Sequence, residues 1–150
     1  MTGAAVEINA NVKGTEVVER RLTKMLRGVE DLEPLMDEIG GILVASTQHN
    51  FERGRAPDGT AWLPSERATN EGGQTLIDSG ILLTSITHNA DRDSVEVGSN
   101  MVYAGIHQFG GAAGRNGATK LPARPYLGIS TGDAFEIEAA AEDYLAELAR

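Results

Sequence analysis

Three histidines and one serine pattern hold most of the reactive chemistry a first reading of this chain finds. Gly128-Ile129-Ser130-Thr131-Gly132 matches the G-x-S-x-G pattern of a serine nucleophile. That chemistry needs a strand before the serine, a helix after it, and a base that follows in chain order. His49, His88 and His107 all precede Ser130, so the pattern reads better as a helix cap. His107, beside Gln108, is the residue on which a small hydrolase or metal enzyme would have to be built. A zinc site needs several donors at workable spacing, and the sequence offers none near His107. A packing or hydrogen-bonding role is the better reading. Residues 110–117 are glycine-rich, but a phosphate loop ends in Gly-Lys-Ser/Thr at a helix start. Here Lys120 follows Thr119 and leads into Pro122. The sequence therefore predicts no catalytic residue, no metal ligand and no cofactor.

The elements that would position these residues belong to a chain of 150 residues, a length that suits one domain. There is no cysteine, which excludes disulfides, thiolate metal sites and cysteine nucleophiles. The net charge of -9 argues against a general nucleic-acid binder. The longest apolar stretches, 39–45 and 81–83, fall far short of the ~20 residues a membrane helix needs, and residues 1–12 lack the pattern of a signal peptide. A soluble protein made in a cytoplasm is expected. Glycine is in excess, at 18 residues, and much of it lies in two stretches, 51–80 and 98–117.

Residues 4–12 alternate in polarity and predict a strand. Val18, Leu22, Met25 and Val29 predict a helix over 16–27. A second helix is predicted over 32–51, with Asp31 or Glu33 as cap and Pro34 in its first turn. Its stripe is Leu35, Ile39, Ile42, Leu43 and Ser46. Gly40 and Gly41 within it signal either a close approach by another backbone or a kink. Residues 52–75 are polar, with Trp62 as their one core candidate, and predict a long mobile loop. A short helix follows within 76–86, with Asp78 and Ser79 as caps. Residues 86–90 and 94–98 predict a hairpin. Val102, Ile106 and Phe109 predict an amphipathic helix, and 110–121 a second mobile loop. Residues 121–127 are extended by their two prolines. The last helix, 132–148, has Ser130 and Asp133 as a capping box, and Phe135, Ile137, Ala141, Tyr144, Leu145 and Leu148 as its packing residues.

Charge is unevenly distributed. No acidic residue lies between Glu96 and Asp133, a window that holds Arg115, Lys120 and Arg124. The last helix carries Glu136, Glu142 and Asp143 among its acids. A basic segment on one copy could meet the acidic helix of the next in a head-to-tail contact, the kind that closes into rings.

Four segments in order resemble the phage virion morphogenesis family, which includes tail completion proteins of Mu-like phages. The first is Phe51 followed by residues 56–62, ending in Trp62. The second is Leu76-Ile77-Asp78-Ser79-Gly80-Ile81-Leu82, ending in Ser85-Ile86. The third runs from Val97 through Tyr103, His107, Gln108, Phe109 and Gly110 to Gly111. The fourth is Pro122-Ala123-Arg124-Pro125-Tyr126-Leu127-Gly128. The resemblance implies a structural, non-enzymatic virion protein of the tail end or neck, with no catalytic residues to transfer. It also implies partners: copies of itself in a ring, the tail tube, and head connector or neck proteins. Transient contact with passing DNA through Arg115, Lys120 and Arg124 would fit a ring lumen. The fold expected is α+β, one domain over 1–150, with a small antiparallel sheet packed by two or three helices and two long mobile loops.

Overall fold

The computed structural model describes residues 4–6, 19–20 and 31–148. Of the strand predicted over 4–12, β1 (Ala4–Val6) is described, and of the helix predicted over 16–27, Glu19 and Arg20 are helical. The remainder of both lies outside the described residues. The fold is α+β, as expected: helices pack against one three-stranded antiparallel sheet, and a second, two-stranded sheet stands apart from it.

Helix α1 (Glu33–Arg53) is the spine. Its start is set by Asp31, whose Oδ1 accepts the Glu33 N–H at 2.9 Å, and by Pro34 in the first turn. Its end is set by Gly54 at φ 63°, which lets the Gly54 and Arg55 N–H groups close on the last carbonyls. Leu35, Ile39 and Leu43 face the core as predicted. The stripe then continues through Thr47, Asn50 and Phe51, leaving Ile42 and Ser46 at its edge. The helix runs unbroken through Gly40 and Gly41. Gly40 makes room for a side chain rather than a backbone: a Cβ there would run into the ring of His88.

His88 lies on β2 (Thr87–Ala90), which forms the predicted hairpin with β3 (Val95–Ser99). The strand order is β1-β3-β2, with Val97 of β3 opposite both Val6 and His88. Helix α1 packs against β2 and β3. The Leu32 N–H bonds the Arg92 carbonyl in the hairpin turn at 2.9 Å, which ties helix start to sheet end. One apolar core results, joining Leu35, Ile39, Leu43, Ile86 and Val97 to Ile137 and Ala141 of the last helix.

The two predicted loops contain regular structure. In 52–75, an isolated bridge joins Arg55 and Ala61, and α2 (Glu66–Glu71) follows, capped by the Ser65 Oγ. In 110–121, β4 (Gly111–Ala113) and β5 (Thr119–Leu121) pair as a hairpin around a single 3₁₀ turn, Arg115–Gly117. Between these segments, α3 (Ile81–Thr84) starts at Gly80, φ 81°, without a side-chain cap from Asp78 or Ser79.

Two amphipathic predictions need correction. Helix α4 covers only Ala104–Phe109 and buries Ala104 and Gln108, while Val102 is 79% and Phe109 68% exposed. The hydrogen bonds of the Gln108 amide decide the phase, as described below. On α5 (Thr131–Leu148), Phe135 and Leu148 point outward and Ile137, Ala140 and Ala141 inward. The small alanines let α5 lie close along α1. The predicted capping box is present: Ser130 Oγ accepts the Asp133 N–H at 3.0 Å and Asp133 Oδ2 accepts the Ser130 N–H at 2.9 Å. The same Oδ2 accepts the Ser46 hydroxyl at 2.8 Å, which fixes α5 to α1.

Candidate functional site

The first and third family-like segments converge on the fourth, the extended stretch 122–128. Helix α1 supplies Asn50, whose Nδ2 donates to the Tyr126 carbonyl at 3.0 Å. One turn beyond the helix, Pro57, Asp58 and Gly59 fold the chain back. Pro57 restricts φ, Asp58 Oδ1 accepts the Thr60 N–H at 2.8 Å, and Gly59 takes φ 90°. That hydrogen bond from Thr60 holds the exposed Asp58 carboxyl below its ordinary pKa. The turn delivers Trp62 against Phe51, edge to face at 5.8 Å, and the indole N–H donates to the Pro125 carbonyl at 2.8 Å.

Helix α4 grips the same stretch from the other side. Gln108 Oε1 accepts the N–H groups of Tyr126 and Leu127, each at 3.0 Å, and its Nε2 donates to the Leu127 carbonyl at 3.2 Å. The Tyr126 hydroxyl donates to the Ala104 carbonyl at 2.7 Å, and its ring packs on Phe51 at 5.0 Å. Burial pushes the Tyr126 phenol up to about 12. Gly110 ends α4 at φ 73°, where a Cβ would strike the backbone at Leu121, Pro122 and Ala123.

Arg124 corrects the predicted basic segment. It is 5% exposed, its Nε donates to the Leu63 carbonyl at 2.7 Å, and its N–H donates to the His107 carbonyl at 2.8 Å. It is an internal tie, so the exposed cations of the segment are Arg115 and Lys120. Glu136, Glu142 and Asp143 are exposed on α5.

Trp62, Gln108, Gly110, Pro122, Arg124, Pro125 and Leu127 are thus brought together, with His107 beside them. Leu82 is a core residue. Leu76, at φ 66°, and Gly80 shape the turn that leads to it. Tyr103 and Phe109 face solvent. Sequence reasoning missed Asn50 and Leu63, and saw Tyr126 only as part of a motif. The spacing Leu43, Thr47, Asn50 was the available signal, since it carries the buried stripe of α1 onto a polar residue.

The histidines have separate surroundings. His49 pairs with Glu52 at 3.0 Å and His88 with Asp37 at 2.7 Å. His107 stacks edge-on to Tyr103, and its Nδ1 has no hydrogen-bond partner among the described residues. Burial, and secondarily the Arg124 charge, holds His107 below its ordinary pKa. Among the described residues no three His, Asp or Glu side chains gather as a metal-binding group. No helix among them is long and apolar enough to cross a membrane.

Residues 13–146 match the phage virion morphogenesis family, and the chain belongs to that family. It is 32% identical to the Mu-like prophage FluMu G protein 2 of Haemophilus influenzae, across 91% of this chain and 95% of that protein. It is 38% identical to the putative capsid assembly protein G of Escherichia phage Mu, across 70% of this chain and 83% of that protein. An uncharacterized protein of Methanocaldococcus jannaschii is 35% identical across 62% of this chain and 73% of its own length. No solved structure matches the chain. These relationships support a structural role in phage virion morphogenesis.

Proposed function

We propose that this protein completes or terminates the phage tail and takes part in head–tail joining, acting without catalysis as an oligomeric ring of identical copies. Family membership is the observation that carries the reading. The surface supports it: Leu63, Val102, Tyr103, Phe109 and Phe135 stay exposed beside a closed apolar core, and exposed apolar patches mark surfaces for other proteins. The partners are further copies, the tail tube, and the connector or neck proteins of the head. Arg115 and Lys120 are the cations that DNA passing through the lumen would meet, and such contact would weaken with salt. The protein assembles in the host cytoplasm and ends in the tail–neck region of the virion.

A head-side neck role is the second reading, favoured by the name of the phage Mu relative, which speaks of capsid assembly. Electron microscopy of particles made without the protein separates the two. Full heads beside tails of uncontrolled length support tail termination. Capped tails of normal length beside unjoined heads support the neck role. Particles joined and infectious as in the wild type would refute both.

A further inference from the structure

Apart from Ile81 and Leu148, the large exposed apolar side chains of the described residues belong to two regions of the fold. The first surrounds α4. Ile106 and Phe109 lie three apart on α4, Val102 lies in the turn before it, and Val102 and Phe109 are among the most exposed apolar residues of the chain. Leu63, 66% exposed, is linked to α4 through Arg124, whose side chain donates to the Leu63 carbonyl and whose main-chain N–H donates to the His107 carbonyl. The chain continues directly from Phe109 into the β4–β5 hairpin, which exposes Arg115 and Lys120. This surface is therefore apolar with a basic border.

The second group lies on the outer face of α5. Phe135 is 66% exposed, with Ala139, Glu142 and Ala146 exposed along the same line of the helix. Glu136 and Asp143, seven residues apart, form the adjacent line and are also exposed. This surface carries Phe135 and two alanines among acidic residues. None of Arg115, Lys120, Glu136 and Asp143 takes part in an ion pair among the described residues.

We propose that these two surfaces bind each other between copies, the α4 face and basic hairpin of one copy seating on the outer face of α5 of the next. The occupant is a second copy of this chain because both halves of a complementary pair are present on it: apolar against apolar, basic border against acidic residues. The apolar side chains supply the affinity, and the charges set orientation and encounter rate. The two surfaces differ, so the contact is heterologous and repeats from copy to copy, closing into a ring where the rotation allows. The inference rests on the ring reading above and adds its surfaces.

Charge exchange tests it. One variant carries Arg115→Glu and Lys120→Glu, the other Glu136→Lys and Asp143→Lys, all at exposed positions, and circular dichroism checks that each folds. Self-association is followed by analytical ultracentrifugation up to the solubility limit. Each variant alone should associate about tenfold or more weakly than the wild type, and an equimolar mixture should regain association, because each reversed surface then meets its complement. Phe109→Ser should weaken association in the same assay. Wild-type association that neither reversal changes, or a mixture no better than its components, would overturn these surfaces and leave the ring standing. A wild-type protein that stays monomeric at every concentration would overturn both.

Discussion

Gln108 pairs with Leu127 as one peptide group pairs with another: its Oε1 accepts the Leu127 N–H at 3.0 Å and its Nε2 donates to the Leu127 carbonyl at 3.2 Å. The Tyr126 N–H shares the same oxygen. A glutamine on a short helix thereby fixes the path of a proline-flanked loop that has no strand partner there.

Gln108→Met keeps the length of this side chain and removes its polar atoms. Two buried N–H groups then lose their acceptor, at a cost of about 2–4 kcal/mol. Urea denaturation should show that loss as a lower midpoint with an unchanged slope. A midpoint equal to the wild type would mean that the loop is held by other contacts.

Tyr126 makes stability sensitive to alkali. Burial favours the neutral phenol, so the folded pKa of about 12 exceeds the ordinary value of 10.0. The contribution is complete below pH 10 and is lost as pH rises towards 12, on the order of 2–3 kcal/mol in all. Tyr126→Phe should be less stable at neutral pH, through loss of the bond to Ala104, and its stability should decline less over that alkaline range. Parallel alkaline slopes for the two proteins would contradict this.

His107 acts in the opposite direction. Its folded pKa lies below the ordinary 6.5, so the unfolded chain binds the proton first. The stability it confers is present above pH 6.5 and is lost as pH falls through the depressed folded value. Comparison of thermal midpoints of wild type and His107→Gln across this acid range should show the smaller decline in the variant. Bound metal measured on the two proteins should be the same, and metal that disappears with the substitution would revive an enzymatic reading of His107.

The neighbouring glycines of α1 should respond with opposite signs. Gly41 has open space around it, so Gly41→Ala gains helix propensity worth up to about 1 kcal/mol. Gly40→Ala gains the same propensity but drives a methyl into His88, and overpacking of this kind costs about 1–3 kcal/mol. Thermal melting should therefore rank Gly41→Ala above the wild type and Gly40→Ala below it. A stabilised Gly40→Ala would show that His88 moves aside without cost.

The parts of the fold legible in the sequence were those fixed by local rules. Alternation marked the β2–β3 hairpin, the Leu35–Ile39–Leu43 spacing marked α1, and Ser130 with Asp133 marked the start of α5. The β4–β5 hairpin was not legible, because Gly111–Ala113 and Thr119–Leu121 are short and carry almost no apolar alternation. The phase of α4 was misread because periodicity assumes that apolar residues face inward. Here Gln108 faces inward, since main-chain groups nineteen residues away satisfy its amide. Arg124 was read as a surface cation for the same reason: its partner, the Leu63 carbonyl, is distant in sequence. Of the candidate site, the residue types were visible in the motifs, while the partners that define their work were not.

Every polar main-chain group of the stretch 125–127 that can bond is held, through the Pro125 carbonyl, the Tyr126 carbonyl and N–H, and both polar groups of Leu127, beside the buried side chains of Tyr126 and Leu127. It sits in the domain as a peptide ligand sits in its receptor, with the hairpin before it as a tether. A receptor that reads backbone atoms is indifferent to a side chain it leaves partly exposed, as it does Pro125. Exchange is therefore easier at position 125, which is held through its carbonyl, than at Asn50, Trp62 and Gln108, the residues that do the reading.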